Sequence, residues 1–297
     1  MAISMESIKT LRESTGAGMM DCKKALVESN GDMEKAIVWL RERGIAKAAK
    51  KEGRVAAEGV CTYTIEGNVA AVYELNSETD FVAKNPLFKE LCEKVGKAIL
   101  ASKAQNDEEA MNAELNGEKV SDMLVNAVAT IGEKITLRRV SLYTKEDNQV
   151  FGAYSHMQGK IIAFAVLNGS NEEVAKDVCM HVAAMNPKFL SKEFVDQAYL
   201  ASETEIIRSE ALNENAKAAK PKPEAIIEKM VEGRVNKMLK EICLVDQPFV
   251  KNPDETVGQY VKNHASEIVL YVRLGVGEGI EKRKDDFVAE VMAAVNK

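Results

Sequence analysis

The stretch Gly-Asn-Val-Ala-Ala-Val-Tyr-Glu-Leu-Asn-Ser-Glu-Thr-Asp-Phe-Val-Ala-Lys-Asn, running from Gly67 to Asn85, is where the fold is decided. Val69, Ala71, Tyr73 and Leu75 alternate with Ala70, Val72 and Glu74. Apolar residues on nearly every position of both faces predict a strand buried deep in a sheet. The strand ends at Asn76, and Asn76-Ser77-Glu78-Thr79 is turn chemistry. Asn85-Pro86 then opens a helix, since Asn can cap and Pro is tolerated at the first helical position. Leu87, Leu91, Val95 and Ile99, with Phe88 and Cys92 beside them, recur at the spacing of one buried helical face.

Asp80 and Phe81 lie between strand and helix on a piece too short for a core of its own. The ring either folds back under the sheet or stands out as an interface anchor, where one large side chain carries much of a binding energy. An internal repeat bears on this choice. Gly159 to Asn168 aligns without gaps on Gly67 to Asn76 at an offset of 92, and Val174-Ala175-Lys176 matches Val82-Ala83-Lys84. A duplicated strand-turn-helix unit is the economical reading, giving a core of two similar halves. Where the first copy has Thr79-Asp80-Phe81 the second has Asn171-Glu172-Glu173. A slot that accepts a charged Glu173 is exposed, so the scaffold does not need the aromatic and Phe81 is expected to protrude.

The first 44 residues read as three short helices. Ser4 can cap the first, with Met5, Ile8 and Leu11 on one face. Gly16 and Gly18 break before the second, which carries Met19, Met20, Cys22 and Leu26. Asp32 caps the third, with Ile37, Trp39 and Leu40, and Gly44 is expected to close it. Ile45 to Arg54 is rich in Ala and Lys. It reads either as a solvated linker or as a phosphate contact through Lys47, Lys50, Lys51 and Arg54; interrupting acidic groups and the lack of aromatics favour the linker.

Strands are expected at 55–65, 134–143, 150–157, 161–168 and 266–274, with helices at about 120–131, 172–185 and 254–264. An acidic polar segment ends at Asn116-Gly117. Residues 191–217 and 224–245 carry one apolar seam each: Phe194, Ala198, Ala201 and Ile206 on the first, then Ile226, Ile227, Met230, Val235, Met238 and Ile242 on the second. Joined by Ala-Ala-Lys-Pro-Lys-Pro, they predict an antiparallel coiled-coil hairpin. Gly275, Gly277 and Gly279 resemble a phosphate loop only weakly, since Ile280 breaks the spacing. A last helix is expected from Asp285, with Phe287, Val291 and Val295 on one face.

The fold class that follows is α+β. It comprises a three-helix bundle with its linker (1–54), a duplicated α/β core with antiparallel sheets (55–145, then 146–190 with 246–279), the coiled-coil insert (191–245) and a C-terminal helical module (280–297).

Two motifs carry a resemblance. Glu74 to Lys84, Glu-Leu-Asn-Ser-Glu-Thr-Asp-Phe-Val-Ala-Lys, and Leu11 to Leu26, Leu-Arg-Glu-Ser-Thr-Gly-Ala-Gly-Met-Met-Asp-Cys-Lys-Lys-Ala-Leu, both resemble signatures of the elongation factor Ts family, with no departure from either pattern. The rest of the chain fits that family's layout, so the likeness covers essentially the whole length. It implies a guanine-nucleotide exchange factor that binds elongation factor Tu in its GDP-bound and nucleotide-free forms and promotes GDP release. Asp80, Phe81, Val82 and Ala83 are the residues expected to bind the partner and displace its magnesium ion. The three-helix module is expected to dock on the GTPase through Leu11, Arg12, Gly18, Met19 and Met20. The hairpin would serve partner contact or self-association, and the C-terminal module would touch the GTPase as well.

Composition agrees with a protein that acts by binding. With 40 Lys plus Arg against 46 Asp plus Glu the net charge is -6, against a sequence-independent nucleic-acid binder, which needs positive surface to release counterions. The five cysteines are widely spaced without Cys-x-x-Cys, so neither a disulfide framework nor a zinc site is signalled, and a reducing, cytoplasmic compartment fits. No apolar run approaches the roughly 20 residues of a membrane span. His156, His181 and His264 are isolated, and there is no Walker-type loop or nucleophile elbow. No catalytic residue, cofactor or metal is expected. The competing class is an RNA-binding or assembly scaffold using the 47–54 segment and the hairpin.

Overall fold

A computed structural model describes residues 3–218 and 220–281. The C-terminal helix expected from Asp285 lies outside the described residues. The chain divides into two compact units. One takes the described residues up to Thr144, Met157–Ile161 and those from Leu274 onward; the other takes Lys145–His156 and Ile162–Arg273.

In the first unit, helices α1 (Met5–Thr15), α2 (Met19–Glu28) and α3 (Met33–Ala49) form the N-terminal bundle. Ser4 caps α1 by accepting from the Ser7 amide at 3.0 Å, and Asp32 caps α3 by accepting from the Lys35 amide at 3.0 Å. Their shared core is Ile8, Leu11, Cys22, Ala25, Leu26 and Ala36, with Trp39 and Leu40 packed against it and Ile37 exposed. Gly44 does not close α3. The helix continues five residues further, because Ala46, Ala48 and Ala49 are strong helix formers. Gly44 serves instead as a close-approach point, where an added Cβ would stand 3.3 Å from the Ala129 side chain. The expected linker is therefore half helix.

The strand read from residues 69–76 forms as β2 (Val69–Ser77) and takes the centre of an antiparallel sheet. It lies between β1 (Glu58–Glu66) and a strand at Thr136–Thr144, β5 in chain order. Central position explains why both faces of β2 are apolar: residues 70–76 are buried throughout. The β2–β5 register shifts between Val72 and Glu74, so Arg139 and Val140 oppose the single Tyr73. This bulge holds Arg139 in the left-handed region, at φ 53°.

After β2 come α4 (Asp80–Lys84) and α5 (Pro86–Ser102), the latter capped by Asn85 with Pro86 in its first turn. Phe88, Leu91, Cys92, Val95 and Ile99 of α5 pack on Tyr73, Leu75 and their neighbours. Leu87, expected on that face, lies in the first turn of α5 and is exposed. The acidic segment is more ordered than its composition suggests. Asn106 caps α6 (Asp107–Asn112), and the short pair β3 (Glu114–Leu115) and β4 (Glu118–Lys119) leads into α7 (Val120–Ile131), closed by Gly132 at φ 91°.

The second unit repeats the plan. β6 (Gln149–His156), β7 (Ile161–Asn168) and a last strand at Glu267–Gly275, β10 in chain order, form a sheet in the order β10-β7-β6, with the repeat's strand again central. Helix α8 (Glu172–Met185) packs Val174, Val178, Cys179 and Val182 inward. It comes so close to β6 that a Cβ on Gly152 would lie 2.4 Å from the Ala175 carbonyl oxygen.

Helices α9 (Gln197–Ala216) and α10 (Glu224–Ile242) pair through Ile207, Ala211, Ile227, Val231 and Val235. Ion pairs Arg208–Glu228 and Arg234–Glu214 flank that contact. The expected seam holds at Ile227 and Val235, with Met238 and Ile242 packed further along, and fails at Phe194, Ile206 and Ile226, which are exposed. Asp196 caps α9 at its true start, leaving residues 192–194 in a 3₁₀ turn. Two short strands, β8 (Pro248–Phe249) and β9 (Asn252–Thr256), precede α11 (Val257–Asn263), which opens on a Thr256–Gln259 capping box later than the expected start at 254. Among the described residues no helix is long and apolar enough to cross a membrane.

Candidate functional site

Helix α4 is five residues long and stands between the buried end of β2 and the cap of α5. Its two faces have opposite fates. Val82 and Ala83 are buried, Val82 within the same apolar core as Leu75 and Phe88. Phe81 points the other way and is 79% exposed. Of the four residues read from the motif, therefore, Asp80 and Phe81 present side chains outward, whereas Val82 and Ala83 anchor the element.

Asp80 accepts from Lys84 Nζ at 2.7 Å, and that ammonium lies 6.0 Å from the Phe81 ring centroid. The Lys84 hydrogen bond holds the Asp80 carboxyl below the usual aspartate range, and the charge of Lys160 acts in the same direction. The surface here is consequently a ring beside a fixed carboxylate–ammonium pair. Below it, Ser77 Oγ donates to the Thr79 carbonyl at 2.9 Å. Thr79 donates its amide and its hydroxyl to Glu133, at 2.9 and 2.7 Å. Glu78 accepts from the Lys134 amide at 2.7 Å and from Arg54 at 3.1 Å. Burial pushes the Glu78 carboxyl up, but the Lys134 amide and the Arg54 guanidinium outweigh it and leave it below the ordinary glutamate value.

Glu133, Lys134 and Arg54 were not legible as parts of this site. They come from the α7–β5 connection and the end of the α3 linker, and sequence proximity to the motif is absent. The only local signal was an acidic residue directly after the closing glycine of a helix.

A second group of expected residues occupies the α1–α2 corner. Leu11 is wholly buried in the bundle, so it supports the corner from inside. Arg12, Gly18, Met19 and Met20 are exposed, with Gly18 at the N-cap of α2. The basic segment is drawn into internal contacts. Lys47 pairs with Asp21 at 2.8 Å, Lys51 donates to the Gly132 carbonyl, and Arg54 pairs with Glu78.

The glycine-rich turn after β10 likewise spends its amides internally. Gly277 donates to the buried Glu74 at 2.7 Å, and Gly275 to Glu278 at 3.0 Å. Glu74 also accepts from Arg139 and from Asn76 Nδ2, each at 2.7 Å, so this buried carboxylate is fully engaged. Among the described residues no group of three or more His, Cys, Asp or Glu is arranged to hold a metal ion.

The family model described as "Elongation factor TS" matches residues 78–278, a span that includes α4 and the whole second unit up to the glycine turn. The chain belongs to the elongation factor Ts family. A curated relative from Acholeplasma laidlawii (strain PG-8A), named "Elongation factor Ts", is 51% identical over 298 residues, covering 100% of both chains. As a member of this family, the protein is a translation elongation factor, and Phe81, Thr79 and Glu133 fall within the matched span.

Proposed function

We propose that this chain is the guanine-nucleotide exchange factor of elongation factor Tu, binding its GDP form, promoting GDP release and leaving once GTP has refilled the site. The observation that carries the reading is the exposed ring of Phe81 on a short helix whose other face is locked into the core.

A GTPase holds GDP through a magnesium ion, phosphate-loop amides and a lysine, all centred on the phosphates. Exchange accelerates only if a partner binds the nucleotide-free form more tightly than the bound form. Phe81 inserts between helices of the GTPase domain, and Asp80 with the turn around Val82 and Ala83 displaces the elements that hold magnesium. Loss of that cation removes the largest positive charge facing the diphosphate, and GDP leaves faster.

Grip is distributed over further surfaces. Arg12, Gly18, Met19 and Met20 of the α1–α2 corner dock on the GTPase, with Leu11 beneath them, and the second half of the core adds contact. The domain organisation that fits this work is the one read from the sequence: residues 1–54 as docking module, 55–145 and 146–190 with 246–279 as core halves, 191–245 as an antiparallel coiled-coil arm for partner contact or self-association, and 280–297 as a C-terminal module. The protein works in the cytoplasm, by binding rather than by covalent chemistry. Support against an RNA-binding role comes from Lys47, Lys51 and Arg54, whose side chains are occupied within the fold.

The test is release of fluorescent GDP from elongation factor Tu, with and without this protein. Acceleration that is saturable in the factor supports the reading; an unchanged release rate overturns it.

A further inference from the structure

A five-residue helix has no stability of its own, because nucleation is costly and so few bonds follow it. The two copies of the repeat solve this differently. In the second copy Asn171 caps α8 with its own side chain, accepting from the Glu173 and Val174 amides at 3.1 and 3.2 Å. Thr79, which aligns with Asn171, makes no such bond to its own helix.

Instead the first turn is held from 54 residues away. Glu133 takes both the amide and the hydroxyl of Thr79, and in return the Lys134 amide donates to Glu78. Two consecutive residues of the turn are thus tied reciprocally to two consecutive residues of the α7–β5 connection. The same connection receives Lys51 at the Gly132 carbonyl and sends Lys134 Nζ to the Glu52 carbonyl, so the end of α3 meets it as well.

A local cap would satisfy the helix end without tying it to any other element. The two-point clamp joins it to the α7–β5 connection, so a helix whose inner face is seated by Val82 and Ala83 is held from a second side as well. We propose that Glu133 is a positioning residue for exchange: acting through Thr79, and without touching the partner, it sets the orientation in which Phe81 and Asp80 meet the GTPase. This rests on the exchange-factor reading above. Sites that must present one side chain in one geometry depend on supporting groups of this kind.

The experiment compares full-length wild type, Glu133→Ala, Glu133→Gln and the double variant Glu133→Ala/Thr79→Asn. The last restores a local cap of the kind Asn171 provides. Fluorescent-GDP release from elongation factor Tu is followed against factor concentration, together with thermal melting. For Glu133→Ala the limiting release rate should fall about tenfold while the half-saturating concentration moves less than about threefold, a loss of positioning rather than of grip. The double variant should regain melting temperature and not rate. A wild-type limiting rate in Glu133→Ala, or recovery of rate together with stability in the double variant, would reduce Glu133 to a helix cap and overturn the proposal. If Glu133→Ala does not fold, Glu133→Gln carries the same comparison, because the amide keeps only one of the two acceptors.

A partner-free measurement separates this proposal from the function on which it rests. With 4-fluorophenylalanine at position 81, the fluorine resonance of the free protein should shift or broaden in Glu133→Gln. An unchanged spectrum defeats the clamp, whatever exchange shows. Absence of acceleration by wild type, with an altered spectrum, defeats the exchange reading instead.

Discussion

Phe81 and Glu74 show how opposite the demands on two nearby side chains can be. Phe81 makes so little contact with its own chain that Phe81→Ala should shift the melting temperature by no more than about 2 °C, in keeping with surface substitutions worth at most roughly 0.5 kcal/mol. The same change should lower stimulated GDP release by about thirtyfold or more, the scale of a hot-spot aromatic. Stopped-flow release beside a thermal melt checks both halves. Glu74 is the reverse case: inaccessible, and held by Arg139, Asn76 and the Gly277 amide. Glu74→Ala leaves the Gly277 amide without its acceptor, while Arg139 keeps Glu278 and the Gly275 carbonyl, so urea unfolding should show a loss of about 2 kcal/mol. Exposure of the ring was legible in the sequence, because the repeat places Glu173 at the matching position. The engagement of Glu74 was not. Its partners depend on a bulge in β5 and a loop some 200 residues away, and neither leaves a periodic trace.

Elements whose ends carry strong local chemistry were readable, and those set by distant neighbours were not. The Ser4, Asp32 and Asn85-Pro86 starts all form where the residues indicate. Helix α3 overran Gly44 because the alanines that follow it favour helix, and the close approach of Ala129 gives that glycine a tertiary use that a local stop rule does not anticipate. The α9–α10 seam kept Ile227 and Val235 of the expected stripe but took Ile207, Ala211 and Val231 in place of Ile206 and Ile226, because helices with many small and apolar residues offer more than one stripe. Thr79 looked like an ordinary turn residue, since the group it binds arrives from another loop.

One prediction belongs to α8 and the strands beside it. His181 is wholly buried; Nδ1 accepts from the Val250 amide at 3.2 Å, so Nε2 carries the proton and donates to Gln247 at 2.9 Å. Burial pushes its pKa below the ordinary histidine value, against the opposing pull of Gln247. Unfolded chains take up the proton near pH 6.5 while the folded unit resists, so the unfolded state binds more protons there. Stability from this group is complete above about pH 6.5 and falls as the pH drops below it. Urea midpoints measured from pH 8 to 5.5 should decline over that window, and His181→Gln should flatten the decline.

For the molecule as a whole, duplication and charge matter more than any single contact. The repeat was detectable from ten gapless positions, and the structure renders it as two sheets with equivalent strands at their centres. A net charge of -6 with internally engaged basic residues sets a further expectation. Filter binding to mixed-sequence RNA at physiological salt should give a dissociation constant no tighter than about 10⁻⁴ M, the weak end of non-specific electrostatic association. Tight retention with a steep salt dependence would reopen the RNA-scaffold reading.

The second copy keeps its architecture with Glu173 where the first has a benzyl group, so nothing in the fold dictates what that tip must be. A tip unconstrained by folding is free to drift toward whatever pocket it meets. Lineages could therefore retune the match between factor and GTPase by trading one side chain there, leaving the rest of the polypeptide indifferent to the exchange.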